Sequence, residues 1–194
     1  MRLAAASLRP AFDSKLALIP LFTSSTKADV RVVCPLSVGG SFEGRTSAMS
    51  GVLNLVSPRP FDLVGEISVD LNTLDTGLAL RNEHMRENYL EVSRAPGYET
   101  AVLSNVQLPD ADASTISGKT RFTARLSVHG VAKALRGTAE IKRTARGVHI
   151  EARFSLHLPD FEIAKPRYLG VGVTDDIQIT AAFDAEPAEG AVGK

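Results

Sequence analysis

Residues 121–158 read RFTARLSVHG VAKALRGTAE IKRTARGVHI EARFSLHL, three successive runs of strict alternation. Phe122, Ala124, Leu126 and Val128 share one parity against Arg121, Thr123, Arg125, Ser127 and His129. Leu135, Gly137, Ala139 and Ile141 do so against Arg136, Thr138, Glu140 and Lys142. Val148, Ile150, Ala152, Phe154, Leu156 and Leu158 alternate with His149, Glu151, Arg153, Ser155 and His157. Successive side chains of a strand point to opposite faces, so period two marks a strand with one buried face. Ala145-Arg146-Gly147 joins two of these runs as a hairpin loop, and His129-Gly130-Val131 punctuates another pair.

The pattern extends outward in both directions. Val30, Val32 and Cys34 share a face, as do Ile67, Val69 and Leu71. Tyr98, Val102, Val106 and Leu108 are expected on one face, with Thr100 and Ser104 between them. Ile177, Ile179, Ala181 and Phe183 make a last strand. Long strands that follow one another closely are antiparallel neighbours. One stretch departs: within Asp75–Val92, Met85, Tyr89 and Val92 are spaced as one helical face. Asp75 and Thr76 suit the N-cap of that helix, which is expected to pack over one end of the sheet.

About eight such strands must each bury a face, and closing the sheet into a barrel also removes exposed edges. The expected fold is all-β: an extended eight-stranded antiparallel barrel with one short helix. An eight-stranded barrel is wide enough to be filled by side chains or to hold one small ligand. The inward set includes Ala124, Gly137, Ala139, Ala152 and Ala181. Small inward residues either leave a cavity or make room for neighbouring aromatics, and the pattern alone leaves both open.

The barrel is expected over residues 30–184, preceded by an N-terminal extension at 1–29 and followed by a disordered tail at 185–194. The extension reads as a weak signal-like segment, with Arg2, Arg9 and the apolar run Leu16–Phe22 interrupted upstream by Asp13 and Lys15, or as an extra strand within Ser14–Phe22. The tail is Ala, Gly, Glu and Pro without apolar period.

The chain has 22 basic and 22 acidic residues, a balance that asks for no nucleic acid or anionic surface. No stretch reaches the length of an apolar membrane-spanning helix. Cys34 is the single cysteine, so no intrachain disulfide can form. The histidines show no metal-ligand spacing, and His129, His149 and His157 are expected on outward faces. No GxSxG motif occurs, Gly39-Gly40 lacks the lysine of a phosphate loop, and Asp175-Asp176 point apart if extended. No cofactor, metal or catalytic residue is expected.

The stretch Leu74-Asp75-Thr76-Gly77-Leu78-Ala79-Leu80-Arg81-Asn82-Glu83-His84-Met85 resembles the signature of the YceI-like family, in which an Asp-Thr-Gly turn precedes an Arg-Asp-x-His-Leu segment. Phe42-Glu43-Gly44 with Gly51, Leu126 to Lys133, Phe161-Glu162-Ile163 and Gly170 to Ile177 resemble further family elements in the same order. The resemblance implies a lipocalin-like barrel that binds a polyisoprenoid or an isoprenoid quinone, and a periplasmic location. No clear secretion signal accompanies it, which leaves a cytoplasmic location open. Asn82 stands for the family's Asp, Met85 for Leu and Tyr89 for Phe, and the Arg94–Tyr98 tract is altered.

Expected apolar ligand contacts are Phe42, Ile67, Val69, Val102, Phe122 and Leu126, with Phe154, Leu156, Tyr168, Ile179 and Phe183. Arg81 and His84 either bind the polar end of the ligand, or Arg81 joins Asp75 in holding the turn to the helix while His84 is satisfied locally. The leading expectation is a carrier for an apolar lipid. The alternatives are an enzyme on a small apolar substrate, with His84 or Cys34 reactive, and a protein–protein interaction module. A homodimer is compatible with the first and third.

Overall fold

The computed structural model describes residues 20–23, 28–58, 61–110, 117–168 and 171–187, and the side chains of 28–54, 62–110, 117–167 and 171–186. The strands are β1 (Pro20–Thr23), β2 (Asp29–Pro35), β3 (Ser41–Thr46), β4 (Met49–Pro58) and β5 (Phe61–Asp70). They continue as β6 (Thr100–Leu108), β7 (Gly118–Val128), β8 (Val131–Arg143), β9 (Val148–His157) and β12 (Asp176–Pro187). These ten strands form one antiparallel sheet in the order β1-β4-β5-β6-β7-β8-β9-β12-β2-β3. A separate small hairpin joins β10 (Arg167–Tyr168) and β11 (Val171–Gly172).

The sheet closes on itself. β1 pairs with β4 on one side, Thr23 facing Gly51, and with β12 on the other, Thr23 facing Ala185. β2 lies along the same edge of β12, Val32 facing Ile179, and carries β3 on its far side. The expected count of eight is therefore too low in segments, for a physical reason: β1 and β2 share one position in the barrel, and β3 and β4 share the next. A strand does lie in the N-terminal extension, at Pro20–Thr23, and β12 continues to Pro187. The ladder thus reaches past both ends of the expected 30–184 span. Residues 1–19, 24–27 and 188–194 lie outside the described residues.

Alternation holds on β7, β8, β9 and β12. Phe122, Ala124, Leu126 and Val128 are buried, as are Ala139 and Ile141. The β7–β8 connection is a two-residue turn in which His129 and Gly130 both take positive φ, 54° and 74°, the geometry that suits the strand twist. The β8–β9 loop closes where the Thr144 N–H donates to the Gly147 carbonyl at 2.9 Å.

β6 departs from simple alternation. Asn105 takes φ 51°, and the pairing with β7 slips between Ser104 and Gln107. An inserted residue exchanges the two faces beyond it. Val106 and Leu108 face the interior as expected, but before the bulge it is Ala101 and Leu103 that do so. Val102 pairs with Ser68 and Ser127 on the other face, so the expectation of an inward Val102 is corrected.

The chain between β5 and β6 covers the barrel end where β5, β7 and β9 terminate. It holds a 3-10 turn (Leu71–Thr73), helix α1 (Ala79–His84) and a π-turn (Met85–Tyr89). The N-cap of α1 is Leu78, without a side-chain cap, which corrects the expectation for Asp75 and Thr76. Those two residues fasten the turn from the side. Asp75 Oδ1 accepts from the Gly77 N–H at 2.8 Å and from Asn82 Nδ2 at 2.6 Å. Asn82 Oδ1 accepts from the Thr76 N–H at 2.8 Å and its hydroxyl at 2.7 Å. The backbone bond from Gly77 and then the amide of Asn82 hold the Asp75 carboxyl below its ordinary range.

A second 3-10 turn, Leu158–Phe161, completes this cover, and buried His129 ties the pieces together. Its Nδ1 donates to the Phe161 carbonyl at 3.1 Å, and its Nε2 lies 2.9 Å from Glu91 Oε2. The expectation of an outward His129 fails because the left-handed turn swings the ring inward under the cover. His149 and His157 do face outward, each across from an aspartate of β12, Asp184 at 2.7 Å and Asp176 at 2.8 Å.

Candidate functional site

The inward faces of the strands enclose a cavity of about 210 Å³. Along β9 its wall runs from Val148 through Ile150, Ala152 and Phe154 to Leu156, roughly 26 Å of strand at about 3.3 Å per residue. Leu90, Leu158 and Ile163 line it from the covered end. Val69, Leu103, Ile150, Phe154 and Ile179 line the cavity yet are only partly buried, since surface that borders a void keeps some accessibility.

Among the described residues the lining contains one polar side chain, Thr46. Its hydroxyl already has partners. Thr73 Oγ1 donates to the Asp70 carbonyl at 2.7 Å, which leaves the Thr46 hydroxyl to donate to Thr73 at 2.5 Å while accepting from the Ala48 N–H at 3.0 Å. Among the described residues the wall therefore offers no unsatisfied side-chain hydrogen-bonding group. A void of this chemistry stays dry and favours an apolar occupant.

Of the residues expected to contact ligand, Ile67, Val69, Phe122 and Leu126 line the cavity, as do Phe154, Leu156, Ile179 and Phe183. Phe42 and Val102 do not. Phe42 packs outside the lining, on β3, with the Arg81 guanidinium 4.6 Å above its ring. The Tyr168 side chain lies outside the described residues. Arg81 and His84 also stand away from the cavity. Arg81 is committed to Phe42, His84 is exposed on α1, and Asn82, not Arg81, holds the turn to the helix.

Leu103, Met49, Leu53, Leu90 and Ile163 also line the wall and were not expected there. Leu103 was hidden by the β6 bulge, although Asn105 is of a type that tolerates positive φ and could have signalled it. Leu90 and Ile163 sit in turns without a period to read.

Among the described residues no titratable group lines the cavity. Cys34 lies on β2 beside Phe42, and burial pushes its thiol up to about 11, against a smaller opposing pull from Arg81. Among the described residues no three His, Cys, Asp or Glu side chains group as metal ligands, and no helix is long and apolar enough to cross a membrane.

A family model, the YceI-like domain, matches residues 23–185 of the chain. The fold is similar to that of Burkholderia cenocepacia BcnA, with a TM-score of 0.65 at 15% identity over 83% of this chain and 98% of that one. It is similar to a polyisoprenoid binding domain from Saccharophagus degradans implicated in plant cell wall breakdown, with a TM-score of 0.61 at 16% identity over 88% and 99%. A Campylobacter jejuni YCEI protein gives 0.59 at 16% identity over 77% and 86%. No curated protein sequence matches the chain.

Proposed function

This chain belongs to the YceI-like family, and from that premise we propose that it is a binding protein that carries a polyisoprenoid, free or as the tail of an isoprenoid quinone, inside its barrel. The observation that carries this reading is the long apolar wall from Val148 to Leu156, in a cavity whose one polar side chain among the described residues, Thr46, is already satisfied. Leaving 210 Å³ unfilled costs on the order of 5 kcal/mol at about 24 cal/mol per Å³. A slender apolar chain recovers much of that through dispersion contacts. With no free side-chain donor or acceptor among the described wall residues, a polar head gains nothing from them by entering, so the apolar chain supplies the affinity. The Saccharophagus degradans domain of similar fold is described as polyisoprenoid binding, which supports the same ligand class here.

The enzyme alternative has less behind it. A thiol pushed up to about 11 is a poor nucleophile near neutral pH, and His84 is exposed and not part of the cavity lining.

Native mass spectrometry of the purified protein, followed by solvent extraction, tests the proposal. The expected result is one apolar molecule of a defined mass class per barrel, its removal lowering the melting temperature. A protein that purifies empty and takes up no added polyprenol would overturn it.

A further inference from the structure

The cavity is uneven along its length, and the unevenness follows the strand register. Ala139 faces Ala152, and Ala152 faces Ala181, so three neighbouring strands present methyl groups in one row. The next inward row is built differently. Phe122 faces Gly137, Gly137 faces Phe154, and Phe154 faces Ile179.

Gly137 is the seat of the Phe122 ring. A Cβ built there would lie 2.6 Å from Phe122 Cε1 and 2.6 Å from the Arg153 carbonyl oxygen. With that space filled, Phe122 stands edge-on to Phe154, ring centres 6.3 Å apart and planes at 89°. Phe122 is 3% exposed, so it braces the pair, whereas Phe154 is only partly buried and borders the void. The buried side chains fall into two clusters, one in each half of the barrel, and Phe154 packs against both. A braced aromatic ring therefore stands where the alanine-lined half meets the capped half.

Resting on the reading of the cavity as a lipid site, we propose that Phe154 is its specificity-determining residue, a width filter between the two halves. A slender, flexible chain threads past the ring and fills both. A rigid fused-ring lipid is stopped at the alanine-lined half and leaves the capped half empty. Phe122 and Gly137 are positioning residues that hold the filter in place.

Phosphatidylcholine vesicles carrying either squalene, a linear polyprene, or cholesterol, a fused-ring lipid of nearly equal carbon number, supply the test. Protein stripped of lipid is incubated with them, re-isolated, and its load measured by mass spectrometry. Wild type should favour squalene by about ten-fold or more, the scale of a steric misfit in an apolar site. Phe154→Ala should bring the ratio to within about three-fold of unity while squalene uptake persists. Phe154→Leu, which keeps apolar bulk without the ring, should fall between and serves if the alanine variant does not fold. Equal uptake of both lipids by wild type, or discrimination retained after the ring is removed, overturns the width filter and leaves the binding function standing. Uptake of neither lipid by wild type overturns the binding function, and the filter with it.

Discussion

The two walls of this barrel obey different rules. β7, β8, β9 and β12 keep unbroken register over long ladders, and those of their residues that line the cavity all share the inward parity of their strand. β4, β5 and β6 carry register shifts in each pairing among them. The regular wall tells what the interior is made of. The shifted wall decides which residues reach it, because each inserted residue exchanges the faces. Where Gly137 in the regular wall seats an aromatic ring, Gly65 in the shifted wall holds a backbone that other residues do not adopt.

That contrast is most sharply tested at Gly65. Its φ is +119°, and an added Cβ would lie 2.0 Å from the Val52 carbonyl oxygen. Gly65→Ala should cost about 3 kcal/mol or more, seen as a lower midpoint in urea denaturation. Near-neutral behaviour would mean that the bulge is not fixed by this residue.

The next test reverses an expectation. Alternation read from Tyr98 puts Val102 inside and Leu103 outside, and the bulge at Asn105 does the opposite. Leu103→Ala should therefore destabilise by about 2 kcal/mol, and Val102→Ala by less than about 1 kcal/mol. The reverse order in thermal melts would restore simple alternation on β6.

The smallest effect lies on the outside of the regular wall. The hydrogen bond to Asp176 raises the pKa of His157 above its ordinary 6.5. A raised pKa contributes stability that is complete below the unfolded value and is lost as pH rises through the folded one. The pair is solvent-exposed, so the effect should be slight. His157→Gln should flatten the slope of melting temperature against pH in that window. An unchanged slope would mean that the pair is not formed in solution.

These tests also mark how far the sequence could be read. The inward set of β7, β9 and β12 was legible because β-strand periodicity survives wherever the ladder is unbroken. Leu126, Phe154 and Phe183 line the cavity as alternation requires. The choice between a void and room for aromatics was not legible, and the molecule does both: Ala139, Ala152 and Ala181 border the void, while the space at Gly137 is taken by Phe122. The polar cluster misled for another reason. Arg81 and His84 are conspicuous in the signature stretch, but contact depends on the path of a turn, and the turn spends Asp75 and Asn82 on itself. His129 misled similarly, because two successive positive φ values turn an apparently outward ring into the clasp of the covered end.

Cys34, at the register position opposite Phe42 on β2, can serve as a stopwatch for the barrel's seam. A thiol pushed up to about 11 is ionised in roughly one molecule in ten thousand at neutral pH. Alkylating reagents should scarcely touch it while β2 stays in its ladder with β12. Its labelling rate would then count how often that seam opens, and comparing empty with lipid-loaded protein would report whether cargo holds the barrel shut.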